Sequence, residues 1–152
     1  VGYGFSSNGD HISVPNVDGP ARSLRMAIKN AGIGLEEIKY INAHATSTPV
    51  GDLNEAKAIA EVFEGHTPFV SSTKSMTGHE MWMAGASELI YSILMMNNNF
   101  IAPNLNFEEP DEASCLLNIP AKRIDTEFDT FLSNSFGFGG TNSTLIVRKF
   151  KE

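Results

Sequence analysis

The sequence predicts an α/β layered domain with a mixed β-sheet. Short β-forming runs alternate with helix-period segments as far as residue 97, and strands alone follow, giving the order βαβαβα and then βββ. The length of 152 residues suits one domain with a sizeable core.

Residues 1–7 read as a strand and residues 10–17 as a loop carrying Pro15. Asp18 is placed to N-cap a helix with Pro20 in its first turn, where the missing N–H costs nothing. Leu24, Ala27, Ile28 and Ala31 fall at i, i+3, i+4 and i+7, and Gly32 is placed to end the helix. Leu35 to Ile38 reads as one helical turn and Tyr40 to Ala43 as a buried strand. Asp52-Leu53-Asn54-Glu55 has capping-box spacing, and Ala56, Ile59, Ala60 and Phe63 form the apolar stripe of the helix after it. Phe69 to Ser71 is a short strand. The stretch from Ala84 to Asn97 is apolar nearly all round, which predicts a buried helix that ends in the Asn97-Asn98-Asn99 run. Residues 114–118, 130–134 and 143–150 read as strands, the last two joined as a hairpin around a Gly-rich segment.

Composition removes several classes of function. A net charge of -7 opposes non-specific nucleic-acid binding, which needs clustered Lys and Arg. No apolar run approaches the ~20 residues of a membrane span. One cysteine allows no internal disulfide, which fits a reducing compartment such as the cytoplasm. The chain opens inside a core-like strand without a polar lead-in or a signal peptide, so it is expected to be a piece of a longer protein.

Three polar segments fall where strands would end. They are His44-Ala45-Thr46-Ser47-Thr48-Pro49-Val50-Gly51-Asp52, Ser71-Ser72-Thr73-Lys74-Ser75-Met76-Thr77-Gly78-His79 and Asn134-Ser135-Phe136-Gly137-Phe138-Gly139-Gly140-Thr141-Asn142. The end of a strand is the usual ligand position in an α/β sheet. A lone histidine there more often serves to hold a turn, and the hydroxyls of Thr46, Ser47 and Thr48 shift the balance toward a polar ligand. Lys74 precedes His79 by five residues, and Glu88 falls within the apolar helix, where an unpaired carboxylate is costly. A Lys74–Glu88 pair removes that cost; it also reads as a purely structural ion bridge. The segment from Phe136 to Asn142 matches no phosphate-loop pattern and reads either as a tight hairpin or as backbone N–H groups facing an oxyanion. Cys115 has no neighbour in sequence to activate a thiolate, so it reads as a small apolar side chain. The four histidines show no zinc spacing, and Glu108, Glu109 and Asp111 read as a solvated loop.

These three ordered motifs resemble the C-terminal half of the β-ketoacyl-acyl carrier protein synthases, condensing enzymes of the thiolase superfamily. The likeness runs through the whole chain. Phe100-Ile101-Ala102-Pro103-Asn104 and Ser133-Asn134-Ser135-Phe136-Gly137-Phe138-Gly139-Gly140-Thr141-Asn142 place it nearest the elongating synthases I and II, with type I favoured. The resemblance implies a thiolase-like layered fold, with residues 1–152 as the C-terminal ketosynthase domain of a dimeric cytoplasmic enzyme of fatty-acid synthesis. Its partners are then an acyl carrier protein and the N-terminal half, which carries the nucleophilic cysteine.

By the same resemblance, His44 and His79 bind the malonyl thioester carbonyl and promote decarboxylation. Lys74 is the family lysine, with Glu88 as its partner. Thr46 and Thr48 bind phosphopantetheine, and Phe136 and Phe138 flank the acyl pocket. No cofactor is implied beyond substrate carried on phosphopantetheine, except a structural sodium or potassium ion to which Asn42, Glu55, Glu88 and Asn134 contribute.

The chain departs from the family pattern at Ala45, where glycine is usual, and at Trp82 and Met83, where small residues are usual. Ala45 restricts the backbone after His44. Trp82 and Met83 imply either repacking or a partly filled cavity. Two other readings are a non-catalytic partner subunit like the chain-length factors and a module that keeps only the pantetheine groove; retention of His44, Lys74 and His79 argues against the first. The isolated half is expected to be inactive and to expose, or self-associate through, the apolar face that meets the other half.

Overall fold

The computed structural model describes residues 1–9 and 14–151. Its main sheet has five strands in the order β1-β7-β6-β2-β3, with β1 at Gly2–Ser7, β2 at Tyr40–Asn42, β3 at Phe69–Ser71, β6 at Thr130–Gly137 and β7 at Thr141–Arg148. β2 runs parallel to both β3 and β6, while β6–β7 and β7–β1 are antiparallel. The sheet is therefore mixed, as the period change implied. β4 (Phe100–Ile101) and β5 (Ile124–Asp125) form a small separate ribbon that the sequence reading did not contain.

Helices α1 (Asp18–Ala31) and α2 (Pro49–Val62) cover one face, where Leu24, Ala27, Ile41, Ile59, Phe63, Leu132 and Ile146 form a core cluster. Helix α4 (Ala84–Asn97) covers the other face, its Met95 and Met96 clustering with Tyr40, Phe131 and Ile101. A four-residue helix, α3 (Lys74–Thr77), was not foreseen. α1 lies almost directly on β1: a Cβ on Gly4 would collide with the Ser23 carbonyl, so only glycine permits that approach.

Several local expectations change. The first helix is capped by Asn16, whose Oδ1 accepts the Gly19 N–H at 2.9 Å, while Asp18 is already in the first turn. Gly32 ends that helix at φ 64, in the left-handed conformation anticipated. The second helix begins at Pro49, four residues after Ala45, rather than near Asp52. Its reciprocal cap runs from the Thr48 N–H to Asp52 Oδ1 at 3.3 Å. Residues 114–118 are not a strand: Ser114–Leu116 is a 3-10 turn braced by Asp111, and Asn118 makes an isolated bridge to Phe69. Cys115 is exposed, not packed as an apolar side chain. The loop expected at residues 10–17 lies in part, with His11, outside the described residues.

The largest correction concerns α4. It buries Ser87, Glu88 and Ser92 and leaves Ile90 and Leu94 at 56% and 52% exposure. Beside it the same sheet face exposes Tyr3, Phe5 and Leu145. The apolar face expected to meet another part of the protein is thus bare in this chain. Among the described residues, no helix is long and apolar enough to cross a membrane.

Candidate active site

Parallel pairing places the three motifs together. Asn42 on β2 is opposite Ser71 on β3 and Ser133 on β6, so the segments leaving all three strands emerge side by side at one sheet edge. His44 and Lys74 with His79 lie on the segments that leave β2 and β3, and Phe136 lies within β6, which runs on to Gly137 rather than ending at Asn134. The His44 and His79 rings meet edge to face, centroids 5.6 Å apart at 86°. The Phe136 ring lies 5.8 Å from His44 on another side. His79 is exposed and His44 is largely covered.

The backbone at His44 is clamped from within. The Glu55 carboxylate accepts the His44 N–H at 2.9 Å and the Ala45 N–H at 2.7 Å. Asn134 Nδ2 donates to the same carboxylate at 3.0 Å, and Thr144 Oγ1 donates to Asn134 Oδ1 at 2.9 Å. From the other side, Ser72 Oγ donates to the Ala45 carbonyl at 3.1 Å. Ala45 is not among the positive-φ residues, so its methyl group is accommodated; the left-handed position in this loop is Ser47, at φ 64.

Burial makes His44 a weak base. Desolvation, followed by the charge of Lys74 and then the neighbouring His79, lowers its pKa to about 3. The ring is therefore neutral near pH 7 and carries one N–H donor. Its Nδ1 is buried without a hydrogen-bond partner among the described residues. In His79 the Nδ1 accepts the Met81 N–H at 3.0 Å, which leaves the ring proton on Nε2.

Lys74 and Glu88 form the ion pair anticipated, with side-chain exposures of 5% and 3%. Burial pushes the Glu88 carboxyl above its ordinary range, and Lys74 pulls it back. Asn42 adjoins the pair, donating from Nδ2 to Ser92 Oγ at 3.1 Å. Asn42 Oδ1 and Glu88 Oε2 have no partner among the described residues. Of the four residues named for a cation, those two offer buried free oxygens. Glu55 and Asn134 are instead committed to each other, to Thr144 and to the His44 loop.

The other expected residues sit at the rim. Thr46 Oγ1 and Thr48 Oγ1 are 3.2 Å apart, near the exposed start of α2. Phe138 is exposed at the tip of the β6–β7 hairpin, and Trp82 is wholly exposed, so it fills no cavity in this chain. A cavity of about 750 Å³ opens at the opposite end of the same strands, lined by Lys39, Thr130 and Phe150 among others. Two ion pairs lie at its rim, Arg148 with Glu37 and Lys151 with Asp129, and neither His44 nor His79 lines it.

The sequence reading missed the work of Glu55 and Ser72 on the His44 backbone. The available signal was a carboxylate adjoining the apolar stripe of Ala56 and Ile59.

The mixed sheet with helices on both faces is the architecture of a thiolase-like condensing-enzyme domain. Comparison agrees: residues 1–108 match the model of the β-ketoacyl synthase C-terminal domain, and the chain belongs to that family. It is 48% identical over 152 residues to 3-oxoacyl-[acyl-carrier-protein] synthase 1 of Escherichia coli K12, covering all of this chain and 37% of that protein. Among solved structures it resembles a β-ketoacyl synthase from Burkholderia phymatum, with TM-score 0.94 and 38% identity over 99% of this chain and 37% of that one. It also resembles a ketosynthase structure described as a type II PKS acyl-carrier protein in complex with its ketosynthase bound to the hexaketide, with TM-score 0.91 and 34% identity over 99% of this chain and 38% of that one. The chain thus spans a little over a third of the length of these relatives.

Proposed function

We propose that this chain supplies the decarboxylating side of a β-ketoacyl synthase active site, working with an N-terminal half that brings the nucleophilic cysteine. The observation that carries this reading is the pair of apposed imidazoles, His44 and His79, backed by the buried Lys74–Glu88 pair. Two imidazole N–H donors brought side by side suit a carbonyl that becomes an enolate. On loss of carbon dioxide from a malonyl thioester, the electron pair of the broken C–C bond enters the enolate held by His44 and His79. The enolate carbon then attacks the acyl thioester on the cysteine. A C–C bond forms, the C–S bond breaks, and the thiolate leaves.

Lys74 keeps a positive field behind the rings, which favours neutral His44. Thr46 and Thr48 are the hydroxyls for the phosphopantetheine arm of an acyl carrier protein, and Phe136 and Phe138 border the acyl chain. The complex with an acyl-carrier protein among the similar structures supports that partner. Asn42 Oδ1 and Glu88 Oε2 are the oxygens suited to a structural monovalent cation, which would coordinate buried oxygens that no hydrogen bond satisfies. A cytoplasmic enzyme of fatty-acid elongation, homodimeric when complete, is the setting that fits these roles.

The test is condensation of malonyl- and acyl-carrier protein by the chain with and without a co-expressed N-terminal ketosynthase half. Product is expected only with both halves. His44→Ala and His79→Ala should each cost about 10²–10³ in rate, as for loss of one oxyanion donor. Product from the chain alone, or a rate indifferent to both substitutions, would overturn the reading.

A further inference from the structure

We propose that Glu80 and Tyr91 are positioning residues for His79: the Tyr91 hydroxyl holds the Glu80 carboxylate, and that clamp sets which ring nitrogen of His79 carries the proton. The proposal rests on the reading of His79 as an N–H donor given above.

His79 is exposed, so packing alone does not orient it. The turn after it does. Met81 N–H donates to His79 Nδ1 at 3.0 Å, and Met83 N–H donates to the Glu80 carbonyl at 3.2 Å. To aim its N–H at the ring, Met81 adopts φ 49, a left-handed conformation that disfavours a long side chain. The Met81 side chain is 68% exposed, so side-chain burial does not stabilise that conformation. The turn runs directly into α4 at Ala84, and its side-chain tie to that helix is Glu80, which accepts the Tyr91 hydroxyl at 3.0 Å from two turns along α4. Glu80 is half-buried and Tyr91 leans on the core cluster beneath α4, so the anchor is fixed on the helix side.

An Nδ1 that accepts a backbone N–H forces the proton of a neutral ring onto Nε2. Without the clamp, Met81 relaxes toward negative φ, its N–H turns away, and the ring samples both tautomers. Only the Nε2–H form presents a donor on the ring edge away from the turn. The hydrogen bond, not the charge of Glu80, is what matters, because an amide oxygen in the same place accepts the same bond.

The test compares Tyr91→Phe, Glu80→Ala and Glu80→Gln in protein selectively ¹⁵N-labelled at histidine. Ring-nitrogen spectra report the His79 tautomer, and kinetics are measured in the assembled two-half enzyme. Tyr91→Phe and Glu80→Ala should show a mixed His79 tautomer and a fall of about two- to tenfold in kcat with KM little changed. Glu80→Gln should keep both the tautomer and the rate. An unchanged His79 tautomer in both Tyr91→Phe and Glu80→Ala overturns the proposal, as does a Glu80→Gln variant that behaves like Glu80→Ala. If the unsubstituted enzyme does not condense, the functional reading fails, and the spectra still decide the clamp.

Discussion

Glu88→Gln is the most informative single perturbation of the polar core. It leaves the Lys74 ammonium almost out of water, since the side chains of the pair are 5% and 3% exposed, with no carboxylate to answer it. At 4 Å and an effective dielectric of about 20, the lost attraction is roughly 4 kcal/mol. Removing one partner of a buried pair costs about 3–5 kcal/mol. Taking about 3 kcal/mol, the melting temperature of a domain of this size should fall by roughly 10 °C. Lys74→Met strands the carboxyl instead, and that group can escape by taking a proton. Burial already raises the Glu88 pKa, and an acid raised on folding loses stability as pH climbs above its unfolded value of 4.5. Lys74→Met should therefore be milder near pH 5 than near pH 8. The double variant Lys74→Met/Glu88→Gln removes both charges and should recover at least about 2 kcal/mol of the summed losses. Urea unfolding of the four proteins at fixed pH closes the cycle. Losses that simply add, with coupling below about 0.5 kcal/mol, would refute the argument that each charge exists to neutralise the other.

Two further predictions concern the site and the bare face. The His44 pKa is depressed from 6.5 to about 3, so between those values the unfolded chain binds more protons than the folded one. Its contribution is complete above about pH 6.5 and fades as pH falls, by up to about 1.4 kcal/mol per pH unit. Urea midpoints for a His44→Phe variant should vary less between about pH 6 and pH 4 than those of the parent, and parallel curves would contradict the burial argument. Ile90, Leu94, Tyr3, Phe5 and Leu145 leave an apolar face beside α4 open, so the chain alone should self-associate or bind an apolar dye. Leu94→Lys should reduce both without loss of stability, and light scattering that shows a clean monomer with little dye binding would count against the prediction.

Much of the fold was legible because it rests on local rules. Gly32 at the end of α1, the strands Tyr40–Asn42 and Phe69–Ser71, and the hairpin around Gly139 and Gly140 all follow from period and backbone preference. Where the reading slipped, a competing local cap or turn had won in two places, and partners distant in sequence had decided the third. Asp18 was a good cap, but Asn16 reached the free N–H first. Residues 114–118 had strand character, but Asp111 folded them into a turn. α4 looked uniformly apolar, yet its serines and Glu88 turn inward because Asn42 and Lys74 wait there with donors.

The residue types of the site, and the family they signal, were readable along the chain: two histidines, a lysine, hydroxyls and a Gly-rich turn, each after a strand. Which of them meet was a matter of the sheet. Parallel pairing of β2 with β3 and β6 brings His44, Lys74 and Phe136 to one edge, although Phe136 follows His44 by 92 residues. The clamp of Glu55 on the His44 backbone, the free oxygens of Asn42 and Glu88, and the hold of Tyr91 on Glu80 exist only once strands and helices are stacked. Periodicity and motif spacing act over a few residues and can be read in one dimension. Hydrogen bonds and ion pairs between remote side chains depend on distances that packing alone sets.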